Sequence, residues 1–252
     1  MRKVLNMMLV LSLLIIILLG FLLYREYEKS LTVDTTMLEI NAALYQEPIV
    51  EKDGRVEDVS VNYIFYLNKE KRSLSDVVIE VLHSNNKMLT FIKIPVTLRV
   101  ELSSKLYQKL ATQAYDVPQF FVLSHITNLF DKEKRFAYLQ LILDETLSID
   151  SSFYTVIEGN QASYKEYQEV LWTQYGNNNE DGIKQLIERH ASECKSNLTI
   201  EERLSYVSSY YAITDTNLTY TELEGTQHTE YFEFDDVKFQ ILIQRLMRGE
   251  QI

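Results

Sequence analysis

Hydrophobic and polar positions change period along this chain, and each change marks a different part. Val4 to Leu23 is a run of twenty residues without a charge, interrupted only by Asn6, Ser12 and Gly20. A helix rises about 1.5 Å per residue, so this run spans a hydrocarbon core roughly 30 Å thick. Arg2 and Lys3 in front of it favour a cytoplasmic N-terminus, while Arg25 and Lys29 behind it are offset by Glu26 and Glu28. The competing reading is a cleaved leader. Against it, the run exceeds a usual leader core, and Leu22-Leu-Tyr-Arg-Glu-Tyr27 offers no small-residue cleavage site. The expectation is one uncleaved anchor over 4–23 in the cytoplasmic membrane, with residues 1–3 cytoplasmic and the body extracytoplasmic or periplasmic.

Residues 24–58 read as a stalk, with turn signals at Glu47-Pro48 and Lys52-Asp-Gly54. From Val59 the pattern becomes strand-like. Val61-Asn-Tyr-Ile-Phe-Tyr-Leu67 and Asp76-Val-Val-Ile-Glu-Val-Leu82 are rich in β-branched and aromatic residues. His83-Ser-Asn-Asn-Lys87 predicts a turn and Met88 to Pro95 the returning strand of a hairpin. Thr97 to Leu102 is expected to extend or pair with that sheet. Helical spacing follows over Asp131–Leu147, where Phe136, Leu139, Leu143 and Leu147 share a face. Phe153 to Ile157 suits a buried strand. Ser163-x-x-Glu166 opens a helix ending near Gly176, Ile183 to Cys194 forms the next, and Thr199-x-x-Glu202 is a capping box for another. Leu218–Leu223 and Glu230–Phe234 alternate as strands around Gly225, and Asp235-Asp236 caps a final amphipathic helix. Strands and helices mix throughout, so residues 59–252 are expected to form one α/β domain, a layered mixed sheet flanked by helices.

Composition narrows the function. The formal net charge is −11, the opposite of the basic stripe that nucleic-acid binding requires. The single cysteine, Cys194, rules out an internal disulfide. Seven Gly and three Pro against seventeen Tyr fit a folded body.

Several short strings then resemble, in order, those of the LytR–CpsA–Psr family, membrane-anchored enzymes that move glycopolymers from a polyprenyl-pyrophosphate carrier onto the cell wall. Ser75-Asp-Val-Val-Ile79 resembles the family's Ser/Thr-Asp-Thr string. Ser84 to Pro95 resembles the hairpin that ends in Ile-Pro-Arg-Asp. Lys109-Leu-Ala-Thr-Gln-Ala-Tyr115 echoes Lys-Ile-Asn-x-Ala-Tyr, and Ser148-Ile-Asp-Ser-Ser-Phe-Tyr154 an Ile-Asp-x-x-Tyr string. The similarity covers roughly Val59 to Arg248.

The departures fall on the chemistry. Val96-Thr97 stands where the family has Arg-Asp, Asn68 where it has the Asp ending the first strand, and no Arg-x-Arg follows Glu158. The resemblance implies arginines that clamp a pyrophosphate and aspartates that hold Mg²⁺. Phosphoryl transfer depends on that positioning and charge neutralisation. What remains of it is Asp76, also the one candidate metal ligand, with Arg99 and Lys109 as vestigial candidates. Mg²⁺ is expected only if that residual site works. The reading is a retained fold without catalysis, a pseudoenzyme.

Other constellations carry less. His190 and Cys194 stand at i and i+4, two metal ligands without partners. There is no Gly-x-Ser-x-Gly elbow and no phosphate-binding glycine loop. Glu222, Glu224, Glu230, Glu233, Asp235 and Asp236 read as a solvated face and a helix cap. Three functions stay open: binding of a polyprenyl-linked glycan precursor in envelope biogenesis, a scaffold within an envelope protein complex, and an active transferase in which Arg99, Lys93 or Arg135 converges on Asp76.

Overall fold

The computed structural model describes residues 52–54, 57–68, 73–112, 117–131, 134–158, 169, 173, 179–210, 213, 215–250 and 252, all within one unit, Ile49–Ile252. The expected anchor over 4–23, most of the expected stalk and most of the helix opened by Ser163 lie outside these residues.

Six strands form the central sheet: β1 (Val59–Leu67), β2 (Leu74–His83), β3 (Met88–Ile94), β6 (Phe153–Glu158), β7 (Lys195–Ser196) and β8 (Leu218–Glu222), in the order β7-β6-β1-β2-β3-β8. The β1–β2–β3 meander is antiparallel, while β6 and β8 flank it in parallel. The hairpin turns through Ser84–Lys87, with Lys87 left-handed at φ 54°. Strands β1 and β2 are buried at most positions because helices cover both faces of the sheet.

On one face Tyr63, Phe65, Val77, Ile79, Ile92 and Ile94 pack against three helices: α1 (Ser104–Ala111), α3 (Arg135–Leu147) and α6 (Asp236–Met247). A short α2 (Ile126–Leu129) precedes α3. Phe65 stacks between Tyr63 and Phe136, with 5.7 Å between ring centroids on each side. On the other face Ile64, Tyr66, Val78, Leu82, Leu89 and Phe91 meet Cys194, Leu198 and Tyr206. Cys194 lies just past α4 (Glu180–Glu193), Leu198 just before α5 (Ile200–Tyr210), and Tyr206 within α5.

The caps behave as the sequence demands. Thr199 N donates to Glu202 at 2.7 Å and Glu202 N donates back to Thr199 Oγ1 at 3.2 Å, a complete capping box. Asp235 accepts from Lys238 N at 3.1 Å.

Three expectations are corrected. Thr97–Leu102 does not join the large sheet. Its core, β4 (Arg99–Glu101), pairs with β5 (Phe120–Val122) in a separate two-stranded sheet, because the chain turns at Pro95, where Leu98 N donates to Pro95 O at 2.9 Å. The helix expected from Asp131 starts at Arg135. Glu230–Phe234 shortens to β10 (Phe232–Phe234), which pairs with β9 (Gly225–Gln227) and not with β8.

Candidate functional site

Asp76 sits near the start of β2, in register with Tyr66 of β1. Its side chain projects onto the sheet face shared by Tyr66, Val78 and Phe91. Lys93 of β3 reaches it, with Nζ 3.6 Å from Oδ1 and the two side chains 49% and 35% exposed. An ion pair this open is worth little. Burial, and then the charges of Glu80 and Asp76, push the Tyr66 hydroxyl far above the usual tyrosine range, so it stays protonated.

The other expected residues lie elsewhere. Arg99 is held between the rings of Phe120 and Tyr231, its guanidinium carbon 5.4 Å and 5.3 Å from their centroids, with Glu101 at 4.0 Å. Tyr231 in turn stacks on His228 at 4.5 Å, and His228 contacts Glu233 at 3.2 Å. This ladder borders a cleft of about 590 Å³ lined by Arg99, Glu101, Ser103, Gln119, Glu145 and Glu233. Lys109 lies in the last turn of α1. Arg135 is buried over the Phe136 ring at 4.8 Å. Among the described residues, no ion pair links Asp76 to Arg99, Lys109 or Arg135.

Val96-Thr97, which stands where the resemblance expects Arg-Asp, is partly buried and leads directly into the core at Leu98. Leu98 is fully buried and Val96 packs on the same cluster. Thr97 O accepts from Phe232 N and Val96 O accepts from Ser124 N, both at 2.8 Å. A magnesium ion needs several oxygen ligands in octahedral array. Among the described residues the charged partner of Asp76 is the Lys93 ammonium; a magnesium ion held by this one carboxylate would complete its octahedron with water and phosphate oxygens. Among the described residues no group of three or more His, Cys, Asp or Glu is placed to share one. Cys194 is buried in the second core just past the end of α4, and the side chain of His190 lies outside the described residues. The acidic set resolves into a cap at Asp235, a Glu224–Lys238 pair at 2.8 Å and the Glu233–His228 contact.

Two polar clusters escaped the sequence reading. Glu80, fully buried in β2, accepts from Asn62 Nδ2 at 2.6 Å and from the Tyr206 hydroxyl at 2.7 Å. Its signal was a carboxylate inside the apolar run Val77–Leu82. In the second cluster, Lys52 Nζ lies 2.5 Å from both Asp144 and Asp150. Asp144 accepts from Ser151 N at 3.2 Å, and Gln140 donates to Ser151 Oγ at 2.8 Å. Asn197 joins this cluster by accepting from Tyr154 N and donating to Lys52 O. Burial pushes the Asp144 carboxyl above its ordinary value, against the pull of Lys52 and Ser151. Burial also pulls on Lys52, but its hydrogen bonds to Asp144 and Asp150 outweigh that and hold the ammonium above the ordinary lysine value. Both clusters are structural ties, between sheet and α5 and between α3 and the residues just before β1.

Solved structures match this architecture across most of the chain. TagV of Bacillus subtilis aligns at TM-score 0.51 and 12% identity, over 80% of this chain and all of that one. TagT, a LytR–CPS2A–Psr family protein solved bound to LI-WTA, aligns at TM-score 0.51 and 9% identity, over 82% of this chain and 97% of that one. Protein gbs0355 of Streptococcus agalactiae aligns at TM-score 0.55 and 8% identity, over 77% and 88%. The chain carries the LytR–CpsA–Psr fold. No protein-family model and no curated protein matches the sequence. The likeness to the LytR–CpsA–Psr proteins is therefore one of fold.

Proposed function

We propose that this chain is a membrane-tethered, extracytoplasmic protein of LytR–CpsA–Psr fold that serves cell-envelope biogenesis without phosphoryl transfer. The observation that carries this is the scatter of the charged groups. Among the described residues Asp76 pairs with Lys93, and Arg99, on the small β4–β5 sheet, is held between two rings. A pyrophosphate clamp requires guanidinium groups and a metal converging on one anion. The charge-free run over 4–23 supports the tether.

Between the two binding roles, the packing favours a scaffold in an envelope protein complex. Leu98 is core and the partly buried Val96 packs against that cluster, so this segment offers apolar side chains and no basic group. The lipid-linked-glycan role draws its support from TagT, solved bound to LI-WTA on this fold. Affinity isolation of the full chain from detergent-solubilised membranes separates them. A defined protein complex free of polyprenyl lipid is the expected result. Stoichiometric polyprenyl lipid without protein partners would refute the scaffold.

A further inference from the structure

The outer edge of β8 is open among the described residues, and β8 ends the strand order. An edge strand exposes a row of backbone donors and acceptors, which folds normally blunt with lysine, proline or a bulge. Strand β8 reads Leu-Thr-Tyr-Thr-Glu, with no lysine or proline and Glu222 as its one charged residue.

Its surroundings suit an added strand on both faces. On one side a groove of about 450 Å³ runs between β8 and α6, lined by Thr219, Thr221, Ile241, Leu242 and Ile252. Ile241 is 54% exposed and Val237, one turn earlier, 68% exposed. Ile241, Leu242 and Ile252 line the groove beside the strand edge, and such exposed apolar groups mark contact surfaces when clustered. On the other side Tyr220 is 51% exposed and stacks on Phe91 at 5.1 Å. Beside it, Glu222 is in register with Lys93. The Lys93 ammonium is turned to Asp76, so Glu222 keeps no ion pair among the described residues. The face therefore presents, at its open edge, an aromatic ring and, two residues on, an exposed carboxylate.

Resting on the scaffold reading, we propose that this edge accepts an extended segment of a partner protein by strand addition. The segment carries an aromatic residue with a basic residue two positions away. Side chains two apart on a strand share a face. The aromatic residue then lies beside Tyr220 and the cation beside Glu222, where opposite charges on neighbouring strands attract. The intervening residues are apolar and enter the groove along Ile241 and Leu242. Main-chain bonds supply affinity and the alternate side chains supply selectivity.

The test uses the full chain and two acetylated, amidated peptides containing Lys-Val-Phe-Val-Lys or Glu-Val-Phe-Val-Glu, whose symmetry fits either strand direction. Anisotropy titration is expected to show at least tenfold tighter binding of the lysine peptide. Bound peptide is expected to slow amide hydrogen exchange over 218–222. Glu222→Lys, at an exposed position, is expected to reverse the peptide preference at unchanged melting temperature, and Ile241→Asp to weaken both peptides. No binding at millimolar peptide, equal binding of both peptides, or protection outside the edge overturns the proposal. So does concentration-dependent protection of 218–222 without peptide, which would make a second copy the occupant. If Glu222→Lys still recovers the same membrane complex, the scaffold stands and this edge is removed from it.

Discussion

The Lys93 ammonium stands 3.6 Å from Oδ1 of Asp76 across the β2–β3 hairpin, and both side chains are open to solvent. The carboxylate best matched to a family metal ligand is thus a surface ion-pair partner. Exposed pairs contribute about 0–1 kcal/mol. Asp76→Asn is expected to lower stability by no more than that in denaturant titration and to leave envelope function intact in cells. Loss of function in a folded Asp76→Asn protein would restore a chemical role to this residue.

Leu98 is fully buried in the main core. Truncating a buried leucine costs about 2–5 kcal/mol through lost burial and the cavity left behind. Leu98→Ala is expected in that range by urea unfolding. Leu98→Arg, which imitates a catalytic arginine on this segment, is expected to prevent folding, because an isolated guanidinium would be buried. A stable, soluble Leu98→Arg protein would show that the segment can open.

The Glu80 carboxylate holds Asn62 and Tyr206 together in the second core. Each buried polar group left unmatched costs about 1–3 kcal/mol. Glu80→Ala is expected to destabilise strongly by leaving both without their shared acceptor. Tyr206→Phe removes one donor and is expected to cost less. Equal effects from the two variants would mean that Asn62 does not depend on Glu80.

Lys52 has a folded-state pKa above its ordinary value of 10.5. The fold therefore binds that proton more tightly than the unfolded chain does. The stability this supplies is complete below pH 10.5 and is lost as pH rises through the folded value. Asp144 is shifted upward as well, so its protonated form is favoured by folding and acid relieves its burial. Lys52→Met is expected to melt below the wild type at neutral pH. The gap should begin to shrink above pH 10.5 and close as pH passes the higher folded value of Lys52, and it should narrow in acid, where Asp144 takes up a proton. Thermal melts from pH 4 to pH 11.5 check this. A gap independent of pH would remove the ion pair from the account.

Much of the architecture was legible because it depends on local rules. The β1–β2–β3 meander follows from β-branched runs and an Asn-rich turn, and the caps at Thr199 and Asp235 follow from their side chains. The β4–β5 sheet was not legible. Thr97–Leu102 has strand pattern, and nothing in it states that Phe120–Val122, far along the chain, is its partner. Helix α1 was missed because Ser104–Ala111 is short and buries only Leu106 and Leu110. At the site, Val96-Thr97 and Asp76 could be read against the family's strings only through the resemblance. The fates of Arg99 and Lys52 could not, since Phe120, Tyr231, Asp144 and Asp150 reach them only through the tertiary fold. Glu80 was readable in principle: a carboxylate in an apolar run must find donors.

The account rests most on the absence of phosphoryl transfer. Its direct test gives the full chain, in detergent with Mg²⁺, a polyprenyl-pyrophosphate-linked glycan, and measures release of the polyprenyl carrier against a protein-free control. The expected release equals the control for both the wild type and Asp76→Asn. Release above the control that disappears in a folded Asp76→Asn protein would contradict the account.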